Sequence, residues 1–312
     1  MKKWQWAVVV SLCSIIVVTM IYGYSIYRGY KNTLNHISVI SENVDIEQGE
    51  EFYNQDELES FVMLIYGISA RKQLGDMGRS DTMMLALVDP NEMEISLISI
   101  PRDAYVQIPG YRMDKINGAY PRGGSELMMK TIEEWLDIQV NSFASINFQG
   151  FVDLVDLVNG IKVEVSRKME YDDPADGTRI RLYPGEQVLD GKNALDFVRF
   201  RQSNDGRHAS DYDRMLRQQE ALQALAGKKT SVRTLTRAFD MMNILSENVQ
   251  TSLTPGELEK LIRIFLSFKP EDLQTTSIQG EGYYHNGGWY ERVPQTEVER
   301  IQEIIRGFLS IN

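Results

Sequence analysis

The chain has 312 residues, 43% of them apolar, with 44 acidic against 33 basic side chains and a net charge of −11. That length and apolar content support one large core or two modest ones. The acidic balance excludes a general nucleic-acid-binding surface, which needs clustered cations, so no nucleic acid is expected as a partner.

From Trp6 to Tyr27 no side chain carries a charge, and Lys2, Lys3 and Arg28 bracket the run. About 20 apolar residues cross a bilayer, and Trp4, Trp6, Tyr22, Tyr24 and Tyr27 stand where interfacial aromatic belts occur. The run exceeds a signal-peptide core of roughly 7–15 residues and no A-x-A-like site follows, so an uncleaved signal-anchor is expected. Lys2 and Lys3 are matched by Arg28 and Lys31; orientation therefore rests on the short N-terminal tail, which places the body outside the cell. The expected location is the cell membrane, single-pass, with an extracellular C-terminal body. Cys13 is the sole cysteine and lies inside the run, so there is no disulfide framework. Residues 1–31 read as tail and transmembrane anchor, and the acidic stretch 32–60 as a stalk or short helical linker. Without Lys2 and Lys3 the chain holds 31 basic against 44 acidic residues, a balance of −13.

Order resumes at Phe61–Gly67, an apolar run ending in glycine that reads as a buried strand. Met83–Val88 and Glu94–Ile100 are further strands joined by the turn Asp89-Pro90-Asn91. Gly123-Gly124-Ser125 starts a helix through Trp135, Phe143–Phe148 is a short strand, and Phe151–Val158 is a helix stopped by Gly160. Ile161–Val165 returns as strand. Thr254-Pro255-Gly256-Glu257 is a capping box opening a helix to Phe268, and a last amphipathic helix starts near Gln295. Strands interleaved with helices predict an α/β body, a mixed central sheet covered by helices on both faces. Residues 61–229 form the core, with 230–312 as C-terminal helices and a strand on the same domain.

The segment Asp196-Phe197-Val198-Arg199-Phe200-Arg201, followed by Asp211-Tyr212-Asp213-Arg214-Met215-Leu216-Arg217-Gln218, concentrates arginine in an otherwise acidic protein. Val198 and Phe200 alternate with Arg199 and Arg201, which on a strand sends both guanidinium groups out of one face. Arg214, Arg217 and Gln218 share one side of a helix at i, i+3 and i+4. Planar five-donor forks match phosphate oxygens bidentately, and several of them suit a diphosphate. Surface ion pairs with Asp196, Asp211 and Asp213 are the competing reading.

Four more segments stand in order around these arginines: Gly78-Arg79-Ser80-Asp81-Thr82-Met83-Met84, Ser99-Ile100-Pro101-Arg102-Asp103, Lys115-Ile116-Asn117-Gly118-Ala119-Tyr120 and Leu189-Asp190-Gly191-Lys192-Asn193-Ala194-Leu195. With them the chain resembles the LytR-CpsA-Psr family of bacterial envelope proteins, closely over residues 61–229. The resemblance implies a phosphotransferase that moves glycopolymer from a polyprenyl-diphosphate carrier to peptidoglycan. It also implies a diphosphate cradle of Arg102, Arg199, Arg201 and Arg217 with Arg214 as a weaker member. Gln218 would add a neutral donor and Arg79 would share the anionic site. Asp81 is implied as a magnesium-linked carboxylate, while Asp103 either orients Arg102 or acts as a base on the incoming hydroxyl. The chain reads Gly67-Ile68-Ser69 where the family pattern has Gly-x-Asp, so one metal-linked carboxylate is replaced and Mg2+ dependence is open. Asp76, in a glycine-rich loop, is a substitute for that charge. A pyrophosphatase, or a non-catalytic sensor of lipid-linked precursors favoured by Ser69, are the alternatives. His36, His208 and His285 have no ligand spacing and read as surface residues. Met83, Met84, Met128 and Met129 are either core residues or the lining of a lipid cavity.

Overall fold

The computed structural model describes residues 27–36, 38, 59–69, 78, 80–173, 177–204, 210–228, 235–267, 273–285 and 287–310. The apolar run before residue 27, the loop with Asp76 and Arg79, and His208 lie outside the described residues. No helix among the described residues is long and apolar enough to cross a membrane.

Helix α1, residues 27–36, runs across the expected boundary between anchor and stalk. Then come β1 (Phe61–Ile68), β2 (Ser80–Asp89), β3 (Glu94–Ser99), β4 (Tyr105–Gln107), β5 (Met113–Lys115) and α2 (Tyr120–Leu136). They are followed by β6 (Ser142–Asn147), α3 (Phe148–Leu157), β7 (Ile161–Val165), β8 (Met169–Asp172), β9 (Arg179–Leu182), β10 (Gly185–Leu189), α4 (Gly191–Arg199) and α5 (Asp211–Ala226). The last elements are α6 (Leu235–Asn248), β11 (Val249–Thr251), α7 (Pro255–Ser267), β12 (Gln274–Ser277), β13 (Glu281–His285), β14 (Gly288–Arg292) and α8 (Gln295–Leu309).

Six strands form one mixed sheet in the order β11-β6-β1-β2-β3-β12. The β6–β1 and β3–β12 pairs are parallel and the others antiparallel. The near-continuous apolar character of β1 and β2 follows from burial on both faces. Alternate residues Val62, Leu64, Tyr66, Met83, Leu85 and Leu87 face α2 and α8 through Met128, Ile132, Val298 and Ile301. The opposite set, Phe61, Met63, Met84, Ala86 and Val88, packs against Leu222 of α5 and Leu258 and Leu261 of α7. A second core joins α3, α4 and α5 to the small strand pairs β7–β10 and β8–β9. Met83, Met84 and Met128 are therefore core residues, with Met129 partly buried against the same core.

Local rules explain most boundaries. Asp89 Oδ1 accepts from the backbone N–H groups of Asn91 and Glu92, which closes the β2–β3 turn. Asn147 caps α3 by accepting from Gly150 N–H at 2.8 Å, so the strand ends one residue before Phe148 and the helix starts earlier than its apolar spacing indicates. Thr254 and Glu257 make the reciprocal capping box that opens α7.

The arginine strand is corrected to a helix. Asp190 caps α4 by accepting from Asn193 N–H, Lys192 and Asp196 pair at i, i+4, and Ala194, Phe197 and Val198 bury one helical stripe. Adjacent Phe197 and Val198 are both buried, which a strand of period two does not allow on one face. Only at Phe200 does the backbone become extended, with ψ of 129°. Arg199 and Arg201 thus stand on different elements.

Candidate active site

β2 and β3 run antiparallel with Met84 opposite Ser99 and Met83 carbonyl accepting from Ile100 N–H. Continued by the same register, Arg102 falls opposite Asp81 at one end of the sheet. On the other side of β2 the β1 register jumps from Gly67 opposite Thr82 to Ile68 opposite Ser80. Asp81 is the extra residue of this bulge, a device that re-aims a side chain. Arg102 Nη1 donates to Asp81 Oδ1 at 2.6 Å.

The loop after Arg102 is pinned by the Lys115-Ile116-Asn117 segment. Ile116 N–H donates to Ala104 carbonyl at 2.9 Å and Asn117 N–H to Arg102 carbonyl at 3.3 Å. Lys115 Nζ lies 2.8 Å from Asp103 Oδ1, and Asp103 Oδ2 is 3.6 Å from Arg102 Nε. Asp103 therefore sits between two cations.

The third carboxylate comes from α5. Ser210 and Asp213 form a capping box at its N-terminus, and Asp211, in the first turn, is favoured there by the helix dipole. Asp211 Oδ1 pairs with Arg214 Nη2 and stands 3.6 Å from Arg102 Nε. Asp81, Asp103 and Asp211 thus face Arg102, Lys115 and Arg214 in one compensated cluster. Arg102 Nε, Arg214 Nε and Asp211 Oδ2 are buried with no hydrogen-bond partner among the described residues. Two buried donors without acceptors in one cluster call for an anion or ordered water. Burial pushes the Asp211 carboxyl up from its ordinary range, against the pull of Arg214 and Arg102. Burial likewise pulls the Arg214 guanidinium down, with Asp211 opposing.

The residue after Asp211 ties this cluster to the C-terminal hairpin. Tyr212 hydroxyl donates to Glu291 Oε1 and accepts from Gly280 N–H at 2.6 Å. Burial raises the Glu291 carboxyl, and Glu291 N–H donates to Asp103 carbonyl at 2.9 Å.

Arg102, Asp81, Asp103 and Arg214 are therefore brought together, while Arg217, Gln218, Arg199 and Arg201 make other contacts and Arg79 lies outside the described residues. Arg217 is buried with Nε donating to Phe197 carbonyl at 2.9 Å and Nη2 to Phe200 carbonyl at 2.5 Å. Its guanidinium lies over the Phe197 and Phe200 rings, and Arg167 lies over Phe200 as well. Arg217 thus closes the open carbonyls at the end of α4. Gln218 Nε2 reaches Val198 carbonyl at 3.5 Å. Arg199 stacks over Phe148 at 4.7 Å, and Arg201 is exposed just beyond. His36 and His285 are exposed.

Burial, with Arg167 adding, pulls the Arg217 guanidinium down to about 10. Its stabilising share is present above the ordinary arginine value and lost as pH falls through about 10, so at neutral pH its two carbonyl bonds offset a burial cost. Arg217→Leu removes two hydrogen bonds from a charged donor, each worth about 1.5–3 kcal/mol. Because Leu also relieves the burial cost of the charge, a net stability loss of about 1–3 kcal/mol is expected in the denaturant midpoint; an unchanged midpoint would show that the bonds only offset that cost.

Asp211, Lys115 and Glu291 were not among the site residues expected from sequence. Asp211 shows itself there only as a first-turn acid three residues before Arg214.

For magnesium, Asp81 is the most exposed of the three carboxylates at 34%, with Oδ1 taken by Arg102. No three His, Cys, Asp or Glu side chains among the described residues are grouped to hold a metal. This donor set fits a magnesium ion that arrives with substrate phosphates, which commonly binds through about one or two carboxylates.

The LytR_cpsA_psr family model matches residues 23–307. The chain belongs to the LytR-CpsA-Psr family. Among LytR-CpsA-Psr relatives, the polyisoprenyl-teichoic acid–peptidoglycan teichoic acid transferase TagU of Oceanobacillus iheyensis is 34% identical over 280 residues, covering 87% of this chain and 83% of its own. The crystal structure of Bacillus subtilis TagT superposes with a TM-score of 0.65 at 29% identity, covering 88% of this chain and 99% of that one. A structure of YwtF (TagT) with bound octaprenyl pyrophosphate lipid has a TM-score of 0.60 at 29% identity over 80% of this chain and 90% of that one.

Proposed function

We propose that this protein is a membrane-anchored, extracellular phosphotransferase that moves teichoic-acid-type glycopolymer from a polyprenyl-diphosphate carrier to peptidoglycan. The observation that carries this reading is the pair Arg102 and Arg214, whose buried Nε donors make no hydrogen bond among the described residues, beside three carboxylates. Phosphoryl transfer asks a protein mainly for charge neutralisation and in-line positioning, and such a cluster supplies both. The names of the TagU and TagT relatives supply the substrate class.

In the reaction a peptidoglycan sugar hydroxyl attacks the sugar-proximal phosphorus. The new P–O bond forms as the bond to the distal phosphate breaks, polyprenyl monophosphate leaves with the electron pair, and the hydroxyl proton passes to a carboxylate or to solvent. Arg102 and Arg214 neutralise the phosphate oxygens. Asp103, held by Lys115, keeps the Arg102 loop in place. Asp81 would hold magnesium, which supplies further charge neutralisation at a phosphate oxygen when bound.

The Trp6–Tyr27 run ends where α1 starts, and α1 is tied to the body. Leu34 is buried, Lys31 Nζ lies 3.1 Å from Glu259, and Ser38 Oγ donates to Leu253 carbonyl at 2.6 Å. An anchor in that run would hold the body close to the membrane, where a lipid carrier presents its diphosphate. Protease added to intact protoplasts is expected to remove the body and leave a small membrane stub. A protected body overturns the extracellular placement.

The function itself is tested with full-length protein in detergent micelles, polyprenyl-diphosphate-linked glycopolymer and purified peptidoglycan. Polymer covalently joined to glycan is the expected product. Release of free polymer phosphate instead would assign a pyrophosphatase. Lipid binding without either product would favour a sensor, as Ser69 does.

A further inference from the structure

The β13–β14 hairpin is not used by the chemistry above, yet its base is built into the site. Strand alternation and the register Gly282 opposite Glu291 and Tyr284 opposite Trp289 put these four residues on one face. At one end of that face Glu291 holds Tyr212, the neighbour of Asp211, and its backbone holds Asp103. Two residues along, roughly 7 Å by strand rise, stand Tyr284 and Trp289. They are 63% and 64% exposed and touch each other edge-on at 5.6 Å. Directly across from Glu291 lies Gly282, where an added Cβ would meet no atom within 4 Å. The face is therefore an open trough with an aromatic wall at its outer end and the phosphate cluster at its inner end.

We propose that this face binds the acceptor glycan strand, stacking a pyranose ring on Trp289 and Tyr284 so that a hydroxyl farther along enters the cluster. This rests on the transferase reading and names where its second substrate sits. Exposed aromatic patches rimmed by polar groups mark interaction sites, and indole and phenol rings offer an apolar face with a polar edge, as sugars do. A membrane is the other surface that seeks exposed tryptophan and tyrosine. The hairpin argues against it: its exposed charges among the described residues are Glu281 and Arg292, one of each sign, so no cationic rim there draws it to an anionic leaflet.

The test uses full-length protein in detergent micelles with purified polymer-free peptidoglycan sacculi as the probe. Trp289→Ala and Tyr284→Ala are expected to weaken co-sedimentation roughly tenfold each, as loss of an aromatic anchor does. Gly282→Leu, which fills the trough, is expected to do the same. All three should bind octaprenyl diphosphate as the wild type does and, in transfer, raise acceptor KM with kcat little changed. Sacculus binding unchanged in all three variants overturns the proposal. So does loss of binding to phosphatidylglycerol–phosphatidylethanolamine vesicles with sacculus binding intact, which would assign the pair to the membrane. A wild type that binds sacculi through Trp289 but transfers nothing would overturn the transferase reading and leave the glycan trough standing.

Discussion

Arg102→Lys is expected to lower polymer transfer by roughly 10²–10³-fold, the scale of losing one preorganised charged donor. Arg102 uses Nη1 on Asp81 and keeps Nε beside Asp103 and Asp211. A planar fork can hold a carboxylate on one edge and a phosphate on another, whereas an ammonium is a single point that must choose. Lysine keeps the charge, so the cluster stays compensated and the thermal midpoint should move little. That separates Arg102 from Arg217, whose loss is expected to appear in stability because its donors are spent on Phe197 and Phe200 carbonyls. Transfer rate and thermal midpoint are measured on the same preparations. A lysine variant with wild-type transfer would make Arg102 a structural ion-pair residue.

Much of this arrangement was legible in the chain because local rules and tertiary packing agree there. The β1–β3 meander, α2, α3 and α7 announce themselves through apolar runs, turn residues and capping boxes. Asp81 and Arg102 are marked as site residues only through the family resemblance, and the β2–β3 register supplies the physical reason that they meet. The arginine segment misleads because Val198, Arg199, Phe200 and Arg201 alternate over only four residues. The helix signal lies upstream in Asp190, Lys192 and Asp196, and it carries the chain through Arg199. Arg217 misleads for a different reason: a guanidinium suits a phosphate and an open helix end equally, and only the neighbour decides. The C-terminal strands β11 and β12 are three and four residues long and join the central sheet from far along the sequence. No local pattern marks an edge strand whose partner is remote. Glu291 and Lys115 belong to the site for the same reason, through contacts made only after the hairpins dock.

Asp211→Asn is expected to separate function from stability. Burial raises the Asp211 carboxyl even though Arg214 and Arg102 both favour its charged form, so bringing this carboxylate out of water costs more than its pairing returns. By linkage, the stability that the raised group contributes is fully present below its ordinary carboxylate value and lost as pH rises through the raised one. The neutral amide has no such loss. The variant should therefore match or exceed the wild type at neutral pH, with an advantage that grows with pH across that window and is absent in acid. Activity should move the other way. Asp211 Oδ1 stands within ion-pair reach of both Arg214 and Arg102 and so bears on where both guanidinium groups sit, and a misplacement of about 1 Å at such a site costs on the order of 10²-fold. Loss of one negative charge also leaves the cluster more cationic, so octaprenyl diphosphate should bind at least as tightly while kcat falls. Denaturant midpoints from pH 4 to 8, lipid affinity and transfer rates check the three parts separately. A variant less stable than wild type at neutral pH would mean that pairing outweighs burial. One with wild-type kcat would mean that the two arginines keep their positions without the carboxylate.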